Sequence, residues 1–224
     1  MVRVGETVRR AQSANAAFVH ELLVYLERRG FAGAPRFLGI DDSGREVLSY
    51  VPGEVPPELG WFPDTVLAAA ARLLRALHDA TAESSLRGRA EVVCHGDASP
   101  CNTAFHEGIP SAFIDFDAAH PGTRREDIGY AAWLWLDLGN ADLSPKLQAT
   151  RLGGFMRAYG GGWHEDAVLA VLDAQEALAA RPAAPEAVRI WAETCRAWTF
   201  SHQSTLAHEA RVADSPATRG EDSE

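Results

Sequence analysis

Two short segments carry the main prediction of the fold: HGDASPCN over residues 95–102 and, after a short interval, IDFD over residues 114–117. Asp97 follows the apolar segment EVVCH, and Asp115 ends the apolar segment SAFI. Short apolar runs that are bounded by turn residues are typical of strands. We therefore expect both aspartates to lie at strand ends, where adjacent strands would bring them to one edge.

The side chains at these positions favour a metal site. Asp115 and Asp117 offer carboxylates, and Asn102, which follows Asp97 in the same loop, offers a carboxamide oxygen. Oxygen donors of this kind are the ligands that Mg²⁺ takes in proteins, and a further carboxylate beside a metal can serve as a base. Taken singly, each residue could equally well cap a strand or a turn. The complete spaced set favours a site.

The pattern H-G-D-x-x-x-x-N followed by I-D-F-D resembles the catalytic signature of the aminoglycoside phosphotransferase and choline kinase family. The resemblance extends over most of the chain. It implies an α+β, bilobal protein-kinase-like fold, with a shortened N-terminal β-lobe and a mostly helical C-terminal lobe. It also implies a Mg²⁺-dependent enzyme that moves the γ-phosphoryl group of ATP or GTP to a hydroxyl of a small molecule.

The resemblance further implies roles for single residues. Asp97 would orient or deprotonate the acceptor hydroxyl, and His95 would brace the catalytic loop. Asn102 and Asp115 would hold Mg²⁺, with Asp117 assisting.

The segment EVLSYVPG, residues 46–53, resembles the strand and hinge against which the adenine ring lies in this family. Backbone groups of Ser49, Tyr50 and Val51 would then hydrogen-bond to the base. Without the resemblance, an ordinary buried strand would explain the segment.

One residue that the resemblance calls for is missing. Kinase-like enzymes grip the phosphates with a small-lobe lysine, and a glutamate on the following helix steadies it. The only lysine, Lys146, lies in the helical part of the chain. Arg9 and Arg10 end the predicted first hairpin, just before the helix that carries Glu21, so they are the candidates for the phosphate grip. Arginine is not equivalent to lysine, and these three charges could instead be solvated.

Hydrophobic periodicity predicts a hairpin over residues 2–10, a helix that ends near residue 29, and strands over 36–40 and 46–51. Gly5 is the sole glycine of the hairpin, so no glycine-rich phosphate loop is visible. Three explanations stay open: the start of the gene is truncated, nucleotide binds poorly, or the donor is another molecule.

The remainder of the chain is predicted to be largely helical, with helices from about residue 64 and over 126–138, 144–159, 164–180 and 185–209. We accordingly predict three regions: a small lobe over 1–52, a helical lobe with the catalytic β-loop over 53–210, and a disordered tail over 211–224.

Composition restricts the partners. The 224-residue chain carries a net charge of −10, which disfavours nucleic acid as a partner and suits an amine-bearing acceptor. No stretch is apolar enough for a membrane span, and no signal peptide is evident. Three cysteines in irregular positions fit a reducing cytoplasm, where we expect the protein to act. Cys94 and Cys101 flank the catalytic loop but lack the partner spacing of a zinc site.

Two other functions remain open from the sequence. The missing lysine and glycine-rich loop favour a catalytically weak or inactive kinase-like binding or regulatory protein, whereas the three metal-compatible residues oppose it. A metal-dependent hydrolase that uses His95 and Asp97 is disfavoured, because no second cluster of ligands completes its site.

Overall fold

The computed structural model describes residues 1–161 and 164–214, and the side chains of residues 1–161 and 166–213. The chain forms two compact units. The first contains residues 1–58 and 73–127, and the second contains residues 59–72 and the chain from Ile128 onward. The boundary between the predicted lobes, between residues 52 and 53, differs from the bounds of these units, and it stays a prediction.

The first unit begins with a four-stranded antiparallel sheet in the order β1-β2-β4-β3. Its strands are β1 (Val2–Val4), β2 (Thr7–Arg10), β3 (Phe37–Ile40) and β4 (Glu46–Ser49). The helix α1 (Ala16–Arg28) lies between β2 and β3 in the chain and buries Val19, Leu22, Leu23 and Leu26. Leu22, Leu23 and Leu26, together with half-buried Phe18, recur at the helical spacing that predicted this helix. The predicted hairpin, helix and strand pair are confirmed.

The helix α2 (Asp64–Thr81) leads into two small antiparallel sheets of the first unit. One pairs β5 (Val92–Cys94) with β8 (His120–Gly122), and the other pairs β6 (Thr103–His106) with β7 (Ile109–Phe113). The sequence did not predict β8, because Pro121 within it argues against a strand. Proline is tolerated there because β8 pairs with β5 alone.

Four further helices complete the described chain: α3 (Arg124–Leu136), α4 (Pro145–Tyr159), α5 (His164–Ala179) and α6 (Glu186–Asp214). In the second unit α6 packs on α4 and α5. All four helices were predicted, with bounds that differ by a few residues. Because α6 continues to Asp214, the first residues of the predicted disordered tail are helical, and residues 215–224 lie outside the described residues. No helix in the described ranges is both long and apolar enough to cross a membrane.

Candidate active site

His95 holds the loop that carries Asp97 and is itself fully buried. Its Nε2 lies 3.1 Å from the carbonyl oxygen of Ile114, and its Nδ1 accepts the backbone N–H of Asp97 at 3.2 Å. Because a carbonyl can only accept, the ring hydrogen sits on Nε2 and the imidazole is neutral. Burial lowers the pKa of His95, and the attraction of nearby carboxylates, Asp127 foremost, does not offset it. His95 therefore braces the loop against the strand end next to Asp115.

Asp127, in the first turn of α3, fixes the same loop from the other side. Its buried carboxylate accepts the backbone N–H groups of His95 at 2.6 Å and Gly96 at 2.8 Å. A third bond joins it to Nε2 of buried His78, at 3.0 Å. Burial alone would raise the pKa of Asp127, but the hydrogen bond and the electrostatic attraction of His78 outweigh it and lower the pKa. Asp127 is thus a charged anchor for the loop backbone.

Gly96 is required between His95 and Asp97. Its φ of +77° is a conformation that side chains rarely adopt, and a Cβ placed on it would lie 2.3 Å from the carbonyl oxygen of Ala118. The close approach lets the loop turn at the end of β5. Asp97 follows with a partly exposed side chain, and its carboxylate makes no hydrogen bond or ion pair with the residues that the structure describes.

The structure brings Asn102 and Asp115 together. The N–H of Ile114 donates to the carbonyl oxygen of Asn102 at 2.8 Å, and the side-chain Nδ2 of Asn102 donates to the carbonyl oxygen of Asp97 at 3.1 Å. The amide nitrogen is therefore used within the loop, which leaves the carboxamide oxygen for another partner. Asp115 adopts the left-handed conformation, with φ +58°, which aspartate tolerates better than most residues.

Arg10, at the end of β2, reaches both carboxylates of the IDFD segment. Its Nη1 lies 2.8 Å from Oδ1 of Asp115, and its Nη2 pairs with Oδ1 of Asp117. Its Nε pairs with Glu46. Burial alone would lower the pKa of Arg10, but the hydrogen bond to Asp117 and the charge of Glu46 raise it above its ordinary value. Of the two arginines that the sequence proposed, Arg10 is the one at the site.

Glu46 holds Arg10, and the sequence did not indicate it. Glu46 is 1 % exposed, is the register partner of Arg10 across β2 and β4, and shares its second oxygen with Nε2 of His20 at 2.7 Å. By contrast, Glu21 is exposed, and the described residues give it no ion pair. Arg9 pairs with Asp41 instead, at 3.7 Å. The expected partnership of Glu21 with an arginine is therefore not formed, and α1 contributes its neighbour His20.

A cavity of about 540 Å³ in the first unit joins these groups to the predicted adenine strand. Arg10, Asn102 and Asp115 line its polar part, and its apolar lining comes from Met1, Val8, Pro35, Leu48, Val51, Val55 and Ile114. Its size and mixed lining are those of a small-molecule site.

Ser49, Tyr50 and Val51 also line this cavity. The N–H of Ser49 donates to Arg36, and that of Tyr50 donates to Glu6, so both are used within the sheet. The N–H of Val51 has no partner among the described residues. Of the three predicted adenine contacts, Val51 is the one whose backbone donor is available.

The donor set suits the metal that the family resemblance implies. Asn102 supplies a free carboxamide oxygen, and Asp115 and Asp117 supply partly exposed carboxylates, which together are hard ligands of the kind Mg²⁺ prefers. Any cation there would share the two carboxylates with Arg10. Asn15, which directly precedes α1, supports this segment: its Nδ2 donates to the carbonyl oxygens of Asp117 and Ala119.

Two comparisons with known proteins show the family of the chain. The profile of the Phosphotransferase enzyme family (APH) matches residues 82–169, a range that contains both segments of the predicted catalytic signature. The chain is 30% identical to the trifolitoxin immunity protein of Rhizobium leguminosarum bv. trifolii, over 95% of each chain. The chain belongs to the phosphotransferase enzyme family. The resemblance predicted from the sequence is confirmed.

Solved structures show the fold of this phosphotransferase family member. A choline/ethanolamine kinase family protein from Mesorhizobium loti matches with a TM-score of 0.58 and 15% identity, over 94% of this chain and 88% of the other. The macrolide 2'-phosphotransferase MphH from Brachybacterium faecium matches with a TM-score of 0.53 and 14% identity, over 90% and 80%. These likenesses confirm the predicted α+β protein-kinase-like fold with a short N-terminal β-lobe. Arg10 and Glu46 lie outside the range that the family profile matches.

Proposed function

We propose that the protein transfers the γ-phosphoryl group of ATP or GTP to a hydroxyl of a small molecule, with Mg²⁺ held by Asn102, Asp115 and Asp117. The observation that carries the proposal is the cavity in which Arg10, Asn102 and Asp115 converge beside the predicted adenine strand. Phosphoryl transfer needs little covalent participation by the protein. It needs an aligned acceptor and positive charge at the phosphates, and this site offers groups for both.

Each group has a distinct task in this proposal. The carboxylate of Asp97 accepts the proton of the acceptor hydroxyl, as that oxygen bonds to the γ-phosphorus and the bond to the β-phosphate oxygen breaks. The guanidinium of Arg10 faces the phosphates, and Glu46 fixes its orientation through Nε. When bound, Mg²⁺ would neutralise charge on the phosphate oxygens. His95 moves no proton, since both ring nitrogens are engaged with backbone groups.

The acceptor is a hydroxyl-bearing toxic compound in this proposal. The relative that covers nearly all of the chain is named an immunity protein for a toxin, and modification of a toxin's hydroxyl is one way in which a phosphotransferase could give such protection. An amine on the compound would suit the net charge of −10. We place the reaction in the cytoplasm, where the nucleotide donor is available.

One observation favours the alternative, a kinase-like binding protein with weak or no transfer activity. Arg10 pairs with both Asp115 and Asp117, and it therefore competes with a metal ion for the same carboxylates. A guanidinium that stayed on these groups would keep the cation out and leave a protein that binds its ligand without modifying it.

Nucleotide titrations of three proteins distinguish these functions. We expect Mg·ATP or Mg·GTP to raise the melting temperature of the wild-type chain and to have much less effect on Asp115→Asn, which keeps a residue type that tolerates the left-handed backbone. The Asp97→Asn variant should still bind nucleotide but lose ADP release with a panel of amine-bearing hydroxyl compounds. If millimolar nucleotide leaves a folded wild-type chain unshifted, the binding-protein alternative holds. ADP release by Asp97→Asn at the wild-type rate would refute the assigned base.

A further inference from the structure

Three metal-ligand side chains meet outside the proposed active site. Cys94 ends β5, His120 begins β8, and Glu126 lies in the first turn of α3. One ligand atom from each lies within 4.8 Å of the other two. Cys94 and His120 are register partners across β5 and β8, so the sheet itself brings them together. Their spacing in the sequence matches no zinc pattern, and therefore the motif-based expectation for Cys94 did not find them.

The hydrogen bonding of His120 leaves it ready to bind a cation. Its Nδ1 lies 2.9 Å from the carbonyl oxygen of Ala118. Since a carbonyl only accepts, Nδ1 carries a hydrogen, and in the neutral ring Nε2 presents a lone pair, 4.0 Å from Oε1 of Glu126. Metal-bound histidines are oriented in the same way, through a hydrogen bond from the second ring nitrogen to a carbonyl or carboxylate.

The three ligand atoms lie close around Gly122, which has no side chain to separate them. A Cβ placed on Gly122 would lie 2.7 Å from Sγ of Cys94, 2.8 Å from Oε2 of Glu126 and 3.4 Å from Nε2 of His120. The backbone of this glycine is not in the left-handed region, so its conformation does not require glycine. Bonds from zinc to sulfur, nitrogen and oxygen are about 2.0–2.3 Å long, and small movements of the two exposed side chains would let all three ligand atoms reach one cation between them. A methyl group at residue 122 would crowd that cation.

Ordinary helix capping explains only one of these residues. Oε2 of Glu126 accepts the N–H of Thr123 at 2.8 Å, and the Thr123 hydroxyl accepts the N–H of Glu126 at 3.3 Å, which is a capping box. Capping accounts for neither the lone pair of His120 nor its position opposite Cys94. A carboxylate has enough lone pairs to cap the helix and bind a cation at once.

We propose that Cys94, His120 and Glu126 bind Zn²⁺, with a solvent molecule as the fourth ligand. A thiolate, an imidazole and a carboxylate form a ligand set typical of zinc, whereas Mg²⁺ avoids sulfur. The Cys94 thiol releases its proton to solvent when the metal binds. The side chains of His120 and Glu126 are 47% and 56% exposed, so the metal can enter from solvent.

A cation at the zinc site would restrain the elements that anchor the catalytic loop. The ligands Cys94 and Glu126 directly precede His95 and Asp127, the two residues that fix the catalytic loop. A cation that joins β5, β8 and the start of α3 would restrain the strand and the helix on which the loop is anchored. The zinc site is separate from the proposed Mg²⁺ ligands and does not depend on the phosphotransferase reaction.

Metal titration of the purified full-length chain tests the proposal. We expect one Zn²⁺ per chain after dialysis, and we expect Co²⁺ to produce a thiolate charge-transfer band together with the visible bands of a tetrahedral site. Cys94→Ser and His120→Ala should each weaken Zn²⁺ binding more than about 100-fold, the upper end of what loss of an outer-shell partner costs. Gly122→Ala should weaken it as well, because its methyl group would crowd the cation.

Matched variants outside the cluster serve as controls. Cys195→Ser and His106→Ala remove the same residue types and should leave the stoichiometry and the cobalt spectrum unchanged. Because Cys94 is buried, a variant there could fail to fold; the exposed His120 then gives the same test without that risk. Absence of stoichiometric Zn²⁺ in the wild-type chain, a cobalt spectrum without the thiolate band, or unchanged affinity in His120→Ala would each overturn the proposal.

Discussion

The Nε of Arg10 donates to the buried carboxylate of Glu46, its register partner on the neighbouring strand. This pairing leaves the two terminal nitrogens of the guanidinium facing Asp115 and Asp117. The sheet therefore orients the guanidinium of Arg10. The helix α1 supports Glu46 through His20, whose ring stacks on Phe37 with 3.8 Å between centroids.

Replacing Glu46 should therefore lower the free energy of unfolding more than replacing Glu21 does. We expect Glu46→Gln to reduce the free energy of unfolding by about 1–3 kcal/mol, since hydrogen bonds to charged groups are lost in a buried place. Exposed Glu21→Gln should change it by less than about 0.5 kcal/mol. Urea unfolding of both variants provides the comparison, and equal effects would contradict the role of Glu46.

The two arginines at the end of β2 should differ in nucleotide binding. Arg10→Ala should weaken Mg·ATP or Mg·GTP binding at least about tenfold, because a charge-assisted contact to phosphate is worth about 1.5–3 kcal/mol. Arg9→Ala should leave the affinity nearly unchanged, since Arg9 pairs with Asp41. Calorimetric titration measures both affinities. A larger loss in Arg9→Ala would reverse the assignment.

Asp127 should be a major stability residue. Its removal in Asp127→Ala leaves His78 and two loop N–H groups without their acceptor, and breaking a buried pair costs about 3–5 kcal/mol. The exposed Asp42→Ala should lie within about 0.5 kcal/mol of wild type. Chemical unfolding measures the free energy of unfolding of both variants. An Asp127→Ala variant as stable as Asp42→Ala would show that other contacts hold the loop.

Stability should fall in mildly acidic solution because of His95. Its pKa is lowered in the folded chain, so below about pH 6.5 the unfolded chain binds a proton that the folded chain does not. The free energy of unfolding should then decrease as the pH drops, by up to about 1.4 kcal/mol per unit. Asp127 acts in a lower window: its depressed pKa contributes stability above about pH 3.9 that is lost on further acidification.

Unfolding experiments between pH 8 and 5, about the range in which histidine titrates, measure this slope. His95→Gln should flatten it, while His106→Gln, a change at an exposed position, should not. Proton NMR of the wild-type chain gives a second readout, in which the His95 ring should stay neutral through this range. A His95 ring that titrates at its ordinary pKa would contradict the prediction.

Local patterns predicted most of the fold. The periodic apolar residues predicted α2 and the later helices, with first and last residues within a few positions of those observed where both were predicted. The turn at Gly5 predicted the first hairpin. The strand β8 was missed because its proline argues against a strand locally, while the pairing that stabilises it is with β5, which is distant in sequence. Such long-range partners are not encoded in neighbouring residues.

At the candidate site, too, local patterns were informative and long-range partners were not. The signature predicted which residues of the catalytic loop lie together, and the order of the chain indicated Arg9 or Arg10. The signature could not indicate Glu46, because its partner Arg10 lies on the neighbouring strand β2, far away in the sequence. The period of two does place Glu46 on the buried face of β4 with Leu48. A charged residue on that buried face was the one feature of the sequence that could have indicated a role for Glu46.

The anchoring of the catalytic loop by Asp127 has a consequence for amide hydrogen exchange. Loop amides usually exchange with solvent through small local openings. The amides of His95 and Gly96, however, donate to a buried carboxylate that belongs to a different segment of the chain. They should therefore exchange at the slow rates of the buried strands, so that this loop becomes a protected segment between faster-exchanging neighbours.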